Sequence, residues 1–526
     1  MALLFNNTVS QDSVHNSMLT HLGAVLSNSD LARLRKIKRN WNFWEGYHWE
    51  GMPETDKPQV TINYVRAFVD KFVSFEMGEG FNIKMLPEVE NLDGGHDPLN
   101  FLNNVWEYNN KAEKCVELGQ SKSVTGDGWF QVSFDDPKDP DYYDPFGEYD
   151  NGRIRLTVLP TAIVFPKYND MHNKDMLESL TIQYPIYKSV AGHFGTAKFK
   201  NVLYKQIWTR EKVEVYEGKE LVAEMENKWG IIPFRQIKNY PQQGKTEGVS
   251  DIEDIIPINM ELNLKKSDIS EIIDYHSAPV TLVFGARVGQ LERGANKVWG
   301  GLPKDAKVEN LRLEGDLTTA HNYTETLKKE MHEVGSIPEG VLGGSLAISN
   351  TSGIALQISM KPILDRVKIK QVMTKEGLEE INKMILLIAE KEGMIEFPSE
   401  DVISRKKLFH NEVTFDSPLP KDSLLELQEL ELEMRMGLES REGAMKRTGK
   451  DNIQERIKAI DDDMAKNPSL YGKEDIEEQI TLMKEQSKIQ GNTVIPTTTT
   501  KKVGTNSEGK PKQVNAGYQN SPEPKR

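Results

Sequence analysis

The chain has 526 residues, 37% apolar and 28% charged, with a mean hydropathy of −0.56. That length exceeds what one hydrophobic core supports, so several domains are expected, and the longest apolar run, Met384–Ala389, is far too short to cross a membrane. A net charge of −14 disfavours a protein that grips nucleic acid by broad phosphate neutralisation, and the single cysteine, Cys115, excludes an internal disulfide and reads as a buried, inert thiol.

Residues 1–30 are polar and weakly patterned, with no basic region followed by a long apolar segment, and read as a flexible N-terminus without a secretory signal. Leu31 to Trp49 has the 3–4 spacing of an amphipathic helix at Leu34, Ile37 and Trp41. Its basic residues (Arg33, Arg35, Lys36, Lys38, Arg39) and three tryptophans suit either a surface helix or a nucleic-acid or membrane patch. Ile62–Phe75 is a second helix, stopped at Gly78-Glu-Gly80, and Pro98–Gly119 a third.

From Trp129 the texture changes to short alternating runs: Trp129–Phe134, Ile154–Val158, Leu180–Tyr187, Tyr204–Thr209 and Val213–Tyr216. Turn residues separate them, as in an antiparallel sheet. Asp135, Asp136, Asp139, Asp141, Asp144, Glu148 and Asp150 form an acidic cluster there, either a hairpin tip or a Ca²⁺ site without the helix–loop–helix spacing. Gly244-Lys-Thr246 resembles the end of a phosphate-binding loop, but Asn239 stands where the first glycine belongs, so a surface turn is expected.

Ser250-Asp-Ile-Glu253 reads as a capping box opening a helix to Tyr275, with Pro257 kinking or restarting it. Strands are expected at Ala278–Gly285 and Val308–Leu313, and a helix at Asp316–Val334. Gly335 to Gly353 is a glycine-rich loop almost free of charge, with no Lys or Arg between Lys329 and Lys361. Ser352–Glu392 then reads as a helix of roughly 60 Å at ~1.5 Å per residue, bent at Pro362 and Gly377. A β-like segment at Asn411–Asp416 and acidic helices at Leu424–Met436 and Asp475–Gln490 follow. The last residues, 491–526, read as a disordered basic tail, with six Lys/Arg and two Glu in 497–526.

No enzyme signature is complete. His332-Glu333 lacks the second zinc histidine, no Ser sits in a Gly-x-Ser-x-Gly elbow, and the scattered histidines make no metal site, so no catalytic residue, cofactor or metal is assigned.

Several pieces together resemble the portal proteins of tailed bacteriophages. They are Trp44-Glu-Gly-Tyr47, Asn63-Tyr-Val-Arg-Ala-Phe-Val-Asp-Lys71, Gly78-Glu-Gly80, Gly126-Asp-Gly-Trp129, Leu159-Pro160 with Phe165-Pro166, and Ile232-Pro-Phe234 with Asn239. Gly248-Val-Ser-Asp-Ile-Glu253, Asn263 with Ser267-Asp268, Ala278-Pro279, Asn350-Thr-Ser-Gly-Ile-Ala-Leu356, Asp416 with Leu419-Pro420 and Ser440-Arg441-Glu442 follow in order. The resemblance covers about residues 40–445.

It implies an α+β portal fold, mostly helical and ring-forming. Its parts would be a mixed α/β wing (31–247), a stem helix (248–276), a β-containing clip (277–315), a second stem helix (316–334), a tunnel loop (335–352), further wing with a long kinked helix and a strand (353–420), and a helical crown (421–490). It implies a ring, usually of twelve subunits, at one capsid vertex of the virion, assembled in the host cytoplasm. Double-stranded DNA would be packaged through the channel by the terminase large subunit and later ejected. A head–tail adaptor, the major capsid protein and scaffolding protein would be further partners, with no membrane. The neutral loop, with Gly340, Gly343, Gly344, Ser345 and Asn350 nearest the DNA, would bind phosphates weakly and let them slide, or pack against neighbouring loops. Lys265 and Lys266 would line the channel or pair with acidic residues of a neighbour. The alternative reading is a nucleic-acid-processing enzyme or motor subunit, which lacks a complete phosphate loop.

Overall fold

A computed structural model describes residues 26–53, 57–90, 97–140, 142–147, 149–169, 176–191, 197–277, 281–284, 303–310, 317–343, 353–398, 403–418, 423–448 and 453–466. The chain is mixed helix and strand and divides into two compact units, Met1–Leu419 and Pro420–Arg526.

In the first unit, helix α1 (Asn28–Glu45) starts at Ser27, whose hydroxyl accepts the Asp30 amide, and buries Leu34, Ile37 and Trp41. Three of its five basic residues are occupied within the fold. Arg33 donates to the carbonyls of Thr161 and Val164, Lys36 pairs with Glu253 and Lys38 with Glu50. Arg35 and Arg39 of the same helix are exposed. Helix α2 (Tyr64–Met77) buries Val65, Phe68, Val69 and Phe72 on one face. Strand β1 (Asn82–Met85), helix α3 (Pro98–Tyr108) and helix α4 (Lys111–Thr125) follow. Cys115 on α4 is buried, which pushes its thiol up to about 11 and keeps it protonated.

Among the described residues the strands form four antiparallel sheets. Strand β2 (Asp127–Asp135) is central between β3 (Arg153–Leu159) and β9 (Phe234–Lys238). Strands β4 (Val164–Tyr168), β5 (Leu177–Ala191), β6 (Ala197–Trp208), β7 (Lys212–Glu217) and β8 (Glu220–Glu226) make a five-stranded meander in chain order. Of the insert, β10 (Thr281–Phe284) pairs with β11 (Lys307–Asn310). Strand β12 (Asn411–Thr414) returns to pair with β1.

Helix α5 (Ile255–Ser277) begins later than the capping box suggested. The Ser250 hydroxyl donates to the carbonyls of Ser123 and Val124 and accepts the Ile252 amide, which lies ahead of the helix, and Glu253 is held by Lys36, so neither caps α5. Pro257 falls in its first turn, where a missing amide hydrogen removes no helical bond. Asn259, Asn263 and Ser267, four residues apart, put a polar ladder on one face of α5. Asn259 accepts the Tyr64 amide and donates to the Ile62 carbonyl, Asn263 accepts the Ile62 amide, and Ser267 accepts the Val60 amide. The ladder fastens α5 to the extended segment before α2. Helix α6 (Leu317–Gly335) packs along α5.

Helix α7 (Gly353–Lys391) joins two cores. Ile363 and Val367 enter the core of α1, α2 and α5, and Leu378, Ile381, Ile385, Leu386 and Ile388 enter that of α3, α4 and β2. Gly377, read as a bend, is explained by close approach: a Cβ there would lie 2.4 Å from the Ile237 side chain.

The second unit contains α8 (Ser423–Arg435), α9 (Arg441–Arg447) and α10 (Ile453–Lys466), with Leu430 and Ala444 buried. Arg441 pairs with Asp461 at 2.6 Å, and Arg447 with Glu433. The stretches read as helix at 475–490 and as basic tail at 491–526 lie outside the described residues.

Candidate functional site

The segment without Lys or Arg leaves α6 through a tight reversal. Ser336 adopts left-handed backbone at φ +56°, its amide donates to the Glu333 carbonyl, and the Ile337 amide reaches back to His332. These two bonds are a Schellman cap, with serine where glycine is usual. The His332 Nδ1–H donates to the Ile337 carbonyl at 2.8 Å, and its ring packs near Tyr64 and Phe68. Gly335 is required by space, since a Cβ there would meet the Phe68 ring at 2.6 Å. Ile337 is fully buried.

Beyond Pro338, residues Glu339–Leu342 make a 3₁₀ turn that Gly343 closes at φ +91°. Val341 and Leu342 pack on the core that holds Phe68, and Lys328 lies 3.9 Å from Glu339. The first half of the loop is therefore a built root, not a free connector. Of the residues read from sequence, Gly340 lies within this turn and Gly343 closes it, whereas Gly344, Ser345 and Asn350 lie outside the described residues.

Lys265 stands 3.6 Å from Glu261 and 3.5 Å from Asp268, so carboxylates of its own helix answer its charge. Lys266 is half-buried and makes no ion pair among the described residues.

Downstream of the loop, α7 is fixed by charges that are entirely buried. Lys370 lies 2.7 Å from Asp251, 3.0 Å from the Ser123 hydroxyl and 3.3 Å from Glu76. Lys122 pairs with Glu76 and donates to Thr374, and the Thr374 hydroxyl donates to Glu76 at 2.8 Å. Arg366 adds a bond to Asp251 at 3.1 Å. The side chains of Glu76, Lys122, Asp251 and Lys370 expose nothing to solvent. Burial works to raise the Glu76 carboxyl, but Lys122 and Lys370 outweigh it and hold it below the usual carboxylate range. Asp251 is depressed in the same way, by Lys370 and then Arg366 working against burial. The network ties α2, α4 and the segment before α5 to one point on α7. Its sequence signal was a lone charge on an apolar helix face, as at Lys370 between Val367 and Leu378, a pattern easily dismissed as solvated.

A third buried carboxylate, Asp127, accepts the Gly248 amide at 3.0 Å and the Gln236 side-chain amide at 2.8 Å. Burial nonetheless pushes it up to about 6. It lies in a cleft of about 480 Å³ with Trp129, Arg33 and Lys245. Gly244-Lys-Thr246 borders this cleft as a turn, with the Lys245 amide on the Gln242 carbonyl. The acidic cluster is used internally at its base, where Asp135 receives Arg153 at 3.0 Å and also Arg155. Among the described residues no group of side chains is arranged to hold a metal ion, and no helix is long and apolar enough to cross a membrane.

No curated protein shows significant similarity to the chain. Residues 25–467 match the family described as phage portal protein, SPP1 Gp6-like, which takes in α5, α6, the loop, α7 and the second unit as far as α10. With most of its length matched, the chain belongs to the phage portal protein family, SPP1 Gp6-like.

Proposed function

We propose that this portal protein forms a closed ring, of twelve subunits as is usual in the family, at the unique capsid vertex, and that double-stranded DNA passes through its centre. The terminase large subunit would drive DNA inward, and a head–tail adaptor would dock at the insert around β10 and β11 before ejection. In this reading residues 31–247 and 353–420 are wing, α5 and α6 the stem, 277–315 the clip and 421–490 the crown. The family's role is structural, and the ring would be assembled in the host cytoplasm before residing in the virion.

The observation that carries the reading is the segment between α6 and α7. It is devoid of Lys and Arg from Lys329 to Lys361, yet it springs from a packed root and returns into a helix fixed by buried charges. A passage for a polyanion works best where each contact is weak, because every cation that neutralises a phosphate adds affinity that resists motion. Exposed apolar side chains on the two helices that flank the segment, Tyr323 and Val334 on α6 and Ile358 and Val372 on α7, support burial against further copies.

The test places charge in the segment. Ser345→Lys and Asn350→Lys should slow DNA translocation into shells, more at low salt than at high salt. Equal translocation by substituted and unsubstituted rings at every salt concentration would remove the weak-contact argument.

A further inference from the structure

The loop between β2 and β3 holds two aromatic rings away from the protein. Phe146 is 84% exposed, the most of any large hydrophobic side chain among the described residues, and Tyr143 is 74% exposed. The loop around them is ordered by its own bonds. The Tyr142 hydroxyl donates to the Tyr149 carbonyl at 2.7 Å, and the Asp144 carboxylate accepts the Tyr149 amide at 2.8 Å. Tyr149 packs between the Tyr108 ring and the Arg153 guanidinium, tying the loop to α3 and β3. Tyr143 and Phe146 thus stand on a fixed support, which lowers the ordering entropy lost when a partner covers them.

The surroundings select that partner. Residues 135–150 carry seven acidic side chains and one basic residue, Lys138. Asp135 is neutralised by Arg153 and Arg155, and the stretch of sequence that carries the two rings stays strongly acidic. Nucleic acid and anionic lipid are repelled by such a charge. A second copy of this chain, at net charge −14, also meets it with like charge. Aromatic anchors within a charged rim are the usual centre of a protein interface, and arginine both neutralises carboxylates and stacks on aromatic rings.

We propose that Tyr143 and Phe146 form a docking knob for a basic protein surface, rich in arginine around an apolar pocket, on the shell that surrounds the ring. The proposal rests on the portal reading for the presence of that shell. Its test compares unsubstituted rings with the Tyr143→Ser/Phe146→Ser double variant and with Asp139→Asn/Asp150→Asn. Rings are scored by electron microscopy, and incorporation by the amount of portal protein per purified shell. The aromatic variant is expected to melt and form rings like the parent, while its incorporation falls at least tenfold. The carboxamide variant is expected to bind shell protein less well at low salt, with the difference vanishing at high salt. Unchanged incorporation of the aromatic variant would overturn the proposal, and failure of that variant to form rings would assign the knob to a second copy instead. Unsubstituted rings that enter no shell would overturn both the knob and the portal reading beneath it.

Discussion

The Lys370 ammonium lies 2.7 Å from the Asp251 carboxylate, both without solvent exposure, so the helix that leaves the neutral segment is fastened to the residues just before α5. Such a pair is weak grounds for net stability, because desolvating both ions offsets much of their attraction. Removing one partner is different, since the other is left buried and unanswered. Lys370→Met should lower unfolding free energy by about 3–5 kcal/mol, read by denaturant titration. Asp251→Asn added to it should cause much less than its own separate loss. Additive losses would mean that the two side chains do not act as a pair. The signs of the carboxylate shifts set a pH dependence. Glu76 and Asp251 lie below the ordinary range, so their stabilisation is present at neutral pH and is lost as pH falls through their depressed values.

Asp127 has the opposite sign. Its folded value of about 6 lies above the ordinary carboxylate value, so the native state binds the extra proton in between, and the ionised form destabilises the fold above about pH 6. Asp127→Asn keeps an acceptor for Gly248 and Gln236 and should raise stability near pH 7.5 by up to about 3 kcal/mol. Most of that gain should disappear by about pH 4, where Asp127 is protonated in the parent. Melting curves at the two pH values decide the matter, and a gain independent of pH would contradict it.

Ser336 occupies a backbone conformation that suits glycine. Ser336→Gly should raise the melting temperature, by a stabilisation of up to about 1 kcal/mol. Ser336→Val should destabilise by more than about 1 kcal/mol, because a β-branched side chain is poorly tolerated at positive φ. A valine variant as stable as the parent would show that the cap does not fix how the chain leaves α6.

The root defines where the segment can be cut. Excising residues 344–350 leaves Val341 and Leu342 on their core, so ring formation and melting should match the parent while DNA packaging or retention falls. Excising 340–348 removes both packed side chains and should cost about 2–4 kcal/mol of stability. Loss of rings on the shorter excision would make the segment part of the assembly interface.

Much of this was legible in the sequence because the signals were local. The strand runs from Trp129 to Tyr216 alternate over short distances, and the helix from Gly353 to Lys391 carries an apolar stripe along its length. Strand β1 could not be read, since its partner β12 lies more than 300 residues away and four residues carry little periodicity. Strand β8 is spaced by glutamates and exposed on most positions, which hid it. The capping box failed because α4 and α1 compete for its two side chains, a tertiary effect no window of sequence contains. The buried charges and the asparagine ladder of α5 escaped for the same reason: each answers to residues distant in the chain. The neutral segment was found by its missing charge, but its rigid root became visible only with the contacts of Gly335 and His332 to α2.

The most direct measurement is electron microscopy of the purified full-length chain. The account expects closed rings with a central hole wide enough for duplex DNA, and density for the segment between α6 and α7 at the narrowest level of the channel. A chain that stays monomeric at every concentration, or a ring whose constriction is formed elsewhere with this segment on the outer wall, would contradict it.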